Sequence, residues 1–187
     1  MPKIISLLVL LGIFGCKDEQ VVKPAAQIRL EYPAPKYVDV EPDCPYSLQK
    51  NEIASIKMRD NCWMNLSYPS MNATIYLTYQ NVHNNNLDSL LYDAQKLTYY
   101  HTIKAETILE QPRVDSVNNV YGMFYMINGN AATQSQFYVT DSINHFVTGS
   151  VYFEAKPNFD SLYPAVVYLR NDVRRIMESI QWKNDQQ

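Results

Sequence analysis

The chain has 187 residues, 47% of them hydrophobic and 19% charged. That composition suits one globular domain with a real core, and it rules out a disordered chain or a multi-span membrane protein. A net charge of −3 without a basic stripe argues against nucleic acid as a partner, and five glycines leave little material for a phosphate-cradling loop.

The amino terminus carries the first specific signal. Met1-Pro2-Lys3 is a short positive start, and residues 4–14 are nearly all apolar. That run is about half the roughly 20 residues a spanning helix needs, so it reads as the apolar region of a signal peptide. Ile13-Phe14-Gly15-Cys16 resembles a bacterial lipobox, which is cut before the cysteine once its sulfur carries a diacylglycerol. Phe14 replaces the small residue usual at its position. The expected organisation is a lipoprotein signal peptide over residues 1–15, a lipidated Cys16 with a flexible tether over 16–26, and one domain over 27–187. Acyl chains such as palmitate contribute about 0.8 kcal/mol per buried methylene, and two or more make the attachment stable.

Residues 27–32 alternate as a strand with Ile28 and Leu30 on one face, ended by Pro33 and Pro35. Pro42, Asp43 and Pro45 predict irregular chain around Cys44. Weak strands are expected over 53–58 and 63–68. A strong one is expected over 72–80, with Ala73, Ile75, Leu77 and Tyr79 on one face. Asn84-Asn85-Asn86 breaks it and offers a helix cap. Leu87, Leu90, Leu91, Ala94, Leu97 and His101 then fall at helical spacing as one apolar stripe.

A strand is expected to start over 106–110. Residues 120–127 form an aromatic strand, Asn128-Gly129 a turn needing positive φ, and 134–140 the returning strand. Asp141-Ser142 turns the chain into a last strand over 145–154. Pro164 suits the first turn of a second helix, whose stripe is Val166, Leu169, Val173, Ile176, Met177 and Ile180. Arg170, Arg174 and Arg175 are expected to face water, as are Asp172 and Glu178. The fold class is α+β: a mainly antiparallel sheet with two helices packed on it.

No catalytic constellation stands out. His83, His101 and His145 are scattered, none has a partner at metal-ligand spacing, and they read as surface or helix-end residues. No metal and no cofactor is expected. Cys44 and Cys62 remain once Cys16 is lipidated. Export favours a bridge between them, which would contribute about 3 kcal/mol; two free thiols are the alternative. The 15 tyrosines serve chiefly as packing, with an aromatic surface for a partner or glycan as their other use.

Several blocks together resemble the gliding motility lipoprotein GldD family. They are Ala73-Thr74-Ile75-Tyr76-Leu77-Thr78-Tyr79, Asp93-Ala94-Gln95-Lys96-Leu97-Thr98-Tyr99 and Val120-Tyr121-Gly122-Met123-Phe124-Tyr125. Gly129-Asn130-Ala131-Ala132, Gln136-Phe137-Tyr138-Val139-Thr140-Asp141-Ser142, His145-Phe146-Val147-Thr148-Gly149-Ser150 and Lys156-Pro157-Asn158-Phe159-Asp160-Ser161 continue it. The resemblance implies a cell-envelope lipoprotein needed for gliding and for the linked type IX protein secretion machinery. It implies a non-enzymatic role in assembling or stabilising other gliding and secretion envelope lipoproteins, which are the expected partners, with the chain lipid-anchored most naturally in the outer membrane. It supplies no catalytic residue. The other reading is a lipid-anchored glycan- or peptide-binding module.

Lys17-Asp18-Glu19 resembles a surface-export signal of gliding bacteria and also reads as a solvated spacer. Asp-Ser-apolar triplets at Ser89, Ser116, Ser142 and Ser161 resemble a bacterial O-glycosylation sequon and also fit turn and cap chemistry. Ser116, Ser142 and Ser161 are the candidate acceptors. The order of elements also looks like a Mog1/PsbP-like αβα sandwich, a likeness of fold that assigns no function.

Overall fold

The computed structural model describes residues 31–100, 104–154 and 159–183. Alternation of large apolar with polar residues dictates the central strands. In β5 (Ala73–Asn81), Ala73, Ile75, Leu77 and Tyr79 are buried while Tyr76 stays exposed. β5 pairs on one side with β4 (Met64–Tyr68), and β4 with the short edge strand β3 (Ser55–Met58). A meander of β6 (Ala105–Asp115), β7 (Val120–Gly129), β8 (Thr133–Thr140) and β9 (His145–Phe153) completes the sheet. The seven strands run in the order β3-β4-β5-β9-β8-β7-β6, and each neighbour is antiparallel. The far edge is β6, where Pro112 is tolerated because an edge strand has one unpaired side.

Two helices cover opposite faces. α1 (Leu87–Tyr100) touches β8 through Gln136, whose Nε2 donates to Thr98 Oγ1 at 2.7 Å and to the Ala94 carbonyl at 3.2 Å. Phe137, next along the strand, points the other way and joins Leu169 and Val173 of α2 (Phe159–Ser179) in the main core. Expectation and structure differ on α1. Its leucine stripe is only half covered: Ala94 and Thr98 are its buried residues, and Leu97 is exposed. The face of the sheet beneath it is rich in hydroxyls and amides, so it gives leucines little to pack against.

Other differences have similarly local reasons. Residues 27–30 of the first expected strand lie outside the described residues, and Glu31 and Tyr32 carry no strand. Two strands are additional, β1 (Tyr37–Val40) and β2 (Tyr46–Asn51), and a third, β10 (Gln181–Trp182), follows α2. They form a separate sheet in the order β1-β2-β10, with Trp182 opposite Tyr46. The second helix starts a turn before the expected position, so Pro164 lies in its second turn and not its first. A proline there leaves the Asp160 carbonyl without its helical donor. The helix stops at Ser179, and Ile180 is buried just beyond its end. Arg170 and Arg174 are half-buried rather than facing water. Arg170 Nη2 donates to Asn128 Oδ1 at 3.0 Å, and the Arg174 guanidinium lies 4.6 Å from the centre of the Phe124 ring.

Scarce glycine is offset by asparagine. Asn61, Asn72, Asn84, Asn85 and Asn119 adopt positive φ, a conformation that asparagine tolerates better than most residues, while Gly129 takes φ 100° as the last residue of β7, so the turn expected at Asn128-Gly129 falls just after them. Gly149 of β9 has a packing role. A Cβ there would lie 2.2 Å from Phe137 Cε1 and 2.8 Å from Leu77 Cδ2. Gly149→Ala is expected to cost about 1–3 kcal/mol by forcing Phe137 and Leu77 apart, read as a lowered Tm.

Candidate functional site

Asp172 sits between Leu169 and Ile176 on the buried side of α2 and is 1% exposed, not on an open helix face as the charge pattern suggested. Its Oδ1 accepts from the Tyr37 hydroxyl at 2.8 Å, and its Oδ2 accepts from Asn51 Nδ2 at 2.9 Å. Asn51 Nδ2 also donates to the Tyr168 hydroxyl at 2.9 Å, and Tyr32 packs on the Tyr168 ring at 5.3 Å. The Tyr68 hydroxyl is buried beside the same carboxylate but lies outside good hydrogen-bond geometry. One carboxylate thereby ties α2 to β1 and to the end of β2.

His145 is also enclosed, 8% exposed at the start of β9 rather than on the surface. Its Nδ1 lies 2.8 Å from the Tyr79 hydroxyl, which also donates to Asn81 Oδ1 at 2.6 Å. Rings from four strands follow one another here. Tyr46 stacks on Tyr79 at 5.8 Å, Tyr79 lies 5.9 Å from His145, and His145 stacks on Trp182 at 5.1 Å. Because Trp182 pairs with Tyr46 across β10 and β2, the row closes on itself and joins the two sheets. Burial, with Tyr79 beside it, pushes the Tyr46 hydroxyl up to about 12. Asp172 and His145 belong to separate networks, each made of tyrosine and amide groups. Among the described residues, no group of three or more His, Cys, Asp or Glu side chains could hold a metal ion.

Cys44 and Cys62 are joined by a disulfide with their Cα atoms 5.7 Å apart. It anchors a tight turn in which Asn61 and Cys62 both take positive φ, and the Tyr46 hydroxyl donates to the Cys62 carbonyl at 2.8 Å. That turn presents Trp63, whose Nε1–H donates to the Tyr79 carbonyl at 3.1 Å, leaving the indole 43% exposed. Hollows of about 530 and 440 Å³ flank it. A third hollow of about 630 Å³ is polar and lies beside Trp182 and Asn119.

The remaining sequence candidates are spread over the surface. Ser116 and Ser142 are exposed in the turns after β6 and β8, and Ser161 is exposed in the first turn of α2. Cys16 and His101 lie outside the described residues. Among the described residues, no helix is long and apolar enough to cross a membrane.

The sequence model of the gliding motility lipoprotein GldD family matches residues 17–182. The chain belongs to this family. It is therefore a gliding motility lipoprotein by family, which accords with a lipid-anchored place in the cell envelope and a role in gliding; this is not a known enzyme family. No curated protein matches the chain. The matched range takes in the large sheet, both helices and the smaller sheet. The Asp172 network and the aromatic row lie where the large sheet meets the smaller one.

Two measurements test these networks. Burial raises the Asp172 pKa against the lowering effect of its hydrogen bonds, so its folded value lies above its unfolded value of about 4. Between those values the folded state keeps a proton that the unfolded state has lost, so this group makes stability fall as pH rises through that window. Asp172→Ala is expected to remove that fall and to cost about 2–4 kcal/mol, because the Tyr37 hydroxyl and Asn51 amide lose a buried acceptor; denaturant titrations across pH 3–7 read both. Replacing Cys44 and Cys62 together by alanine is expected to cost about 3 kcal/mol in the same assay.

Proposed function

We propose that this protein is an outer-membrane lipoprotein, anchored through acyl chains on Cys16, that serves gliding and the linked type IX secretion machinery as a non-enzymatic assembly or stabilising component. Its partners are other gliding and secretion lipoproteins of the envelope. The family match over residues 17–182 is the observation that carries this reading. The signal-like segment ahead of Cys16 supports the anchor. The partners of the enclosed Asp172 and His145 support a role without chemistry. Asp172 is bonded to Tyr37 and Asn51, and His145 to Tyr79, so each is engaged in holding elements together.

The test is made in the host. Deleting the gene is expected to abolish colony spreading and export of type IX cargo, and the wild-type gene is expected to restore both. Cys16→Ser is expected to lose incorporation of labelled palmitate, to leave the membrane fraction and to fail to restore spreading. Normal spreading and secretion in the deletion strain would overturn the reading.

A further inference from the structure

We propose that the exposed Trp63 indole and the two hollows beside it form a binding site for a neutral oligosaccharide. This proposal stands apart from the gliding role. The first hollow is bordered by Asn61, Asn81, His83 and Leu90, and the second by Arg59, Asn65 and Tyr76. Trp63 and Asn61 border both, so the indole stands as a wall between two adjoining subsites. Their volumes, about 530 and 440 Å³, fall in the range of small-molecule sites.

The chemistry of the lining selects the ligand. A pyranose ring has an apolar face of C–H groups and a rim of hydroxyls that donate and accept. An exposed aromatic plane suits the face, and a primary amide, which also donates and accepts, suits the rim. Trp63 and Tyr76, 43% and 42% exposed, supply the planes. The side-chain amides of Asn61 and Asn65 make no hydrogen bond to any described residue, so their donors and acceptors remain available. An apolar partner lying here would bury those amides without partners, which costs free energy. Charge is balanced, with Arg59 and Asp60 bordering the same hollow, so neither an anionic nor a cationic ligand is favoured.

The site is also built before a ligand arrives. The Cys44–Cys62 bridge, the Tyr46 bond to the Cys62 carbonyl and the Arg59 N–H bond to the Trp63 carbonyl at 2.8 Å hold the turn. The Trp63 bond to the Tyr79 carbonyl fixes the indole against β5. Positive φ at Cys62 is costly for a residue other than glycine, and it lies in the disulfide-bonded turn directly before the exposed Trp63. A fixed aromatic plane spares a ligand the cost of ordering it.

The test uses the full-length protein in detergent and three probes: an N-acetylglucosamine trimer, maltotriose and cellotriose. Calorimetric titration of the wild type is expected to give saturable binding to at least one, with a Kd of about 1 mM or tighter. A preference for the first probe points to cell-wall glycan, and a preference for either hexose trimer to a neutral surface glycan; both outcomes support the site. Trp63→Ala, Tyr76→Ala and Asn65→Ala are each expected to weaken binding about tenfold or more. Asn65 is part-exposed and makes no side-chain hydrogen bond to a described residue, so Asn65→Ala is expected to keep the wild-type Tm and to separate lost binding from lost folding, whereas Tyr76→Ala also removes an edge-on ring contact with Tyr152. Absence of binding to all three probes, or binding that survives both Trp63→Ala and Tyr76→Ala, would overturn the proposal.

Discussion

One enclosed carboxylate ties the smaller sheet of this protein to the long helix that covers the large one. Asp172 is carried on the helix that covers the large sheet, yet its hydrogen bonds go to Tyr37 and Asn51 of β1 and β2. Burial makes that charge expensive, and the bonds it accepts offset part of the cost only if the tyrosine and the amide stand where they do. The carboxylate therefore favours a single placement of the smaller sheet, alongside the burial of Tyr46 and Leu48 in the main core.

At the opposite end of β2 the same problem is solved with rings. Tyr46, Tyr79, His145 and Trp182 come from four different strands and close a seam between the sheets. The disulfide lies next to that seam and fixes the turn that carries Trp63. Rigidity and exposure are thus produced together: the constraints that lock Tyr46 inward are the ones that leave the neighbouring indole facing solvent.

The large sheet and both helices were legible because burial imposes a period. Ile75, Leu77 and Tyr79 alternate, and Leu169, Val173 and Ile176 repeat at helical spacing, so their elements follow from pattern alone. β1, β2 and β10 were not legible. They are short, they flank prolines or a helix end, and β2 gains its second neighbour, β10, only across more than a hundred residues of chain. Asp172 was misread because a charged residue on a helix normally faces water. Its position three residues after Leu169 and four before Ile176, inside the apolar stripe, was the signal available. For the Trp63 site the only trace was a tryptophan flanked by Asn61 and Asn65, which acquires meaning once the turn is folded.

Pairing of β10 with β2 has a consequence for how the chain is made. Synthesis and export deliver the amino end first, and β2 must wait for Gln181 and Trp182 before its second edge is satisfied. Contacts so distant in sequence form late, because closing a long loop precedes any reward. The seam is therefore completed only when a strand more than a hundred residues beyond β2 is in place. Loss of Gln181 and Trp182 would unzip the seam rather than merely shorten the molecule.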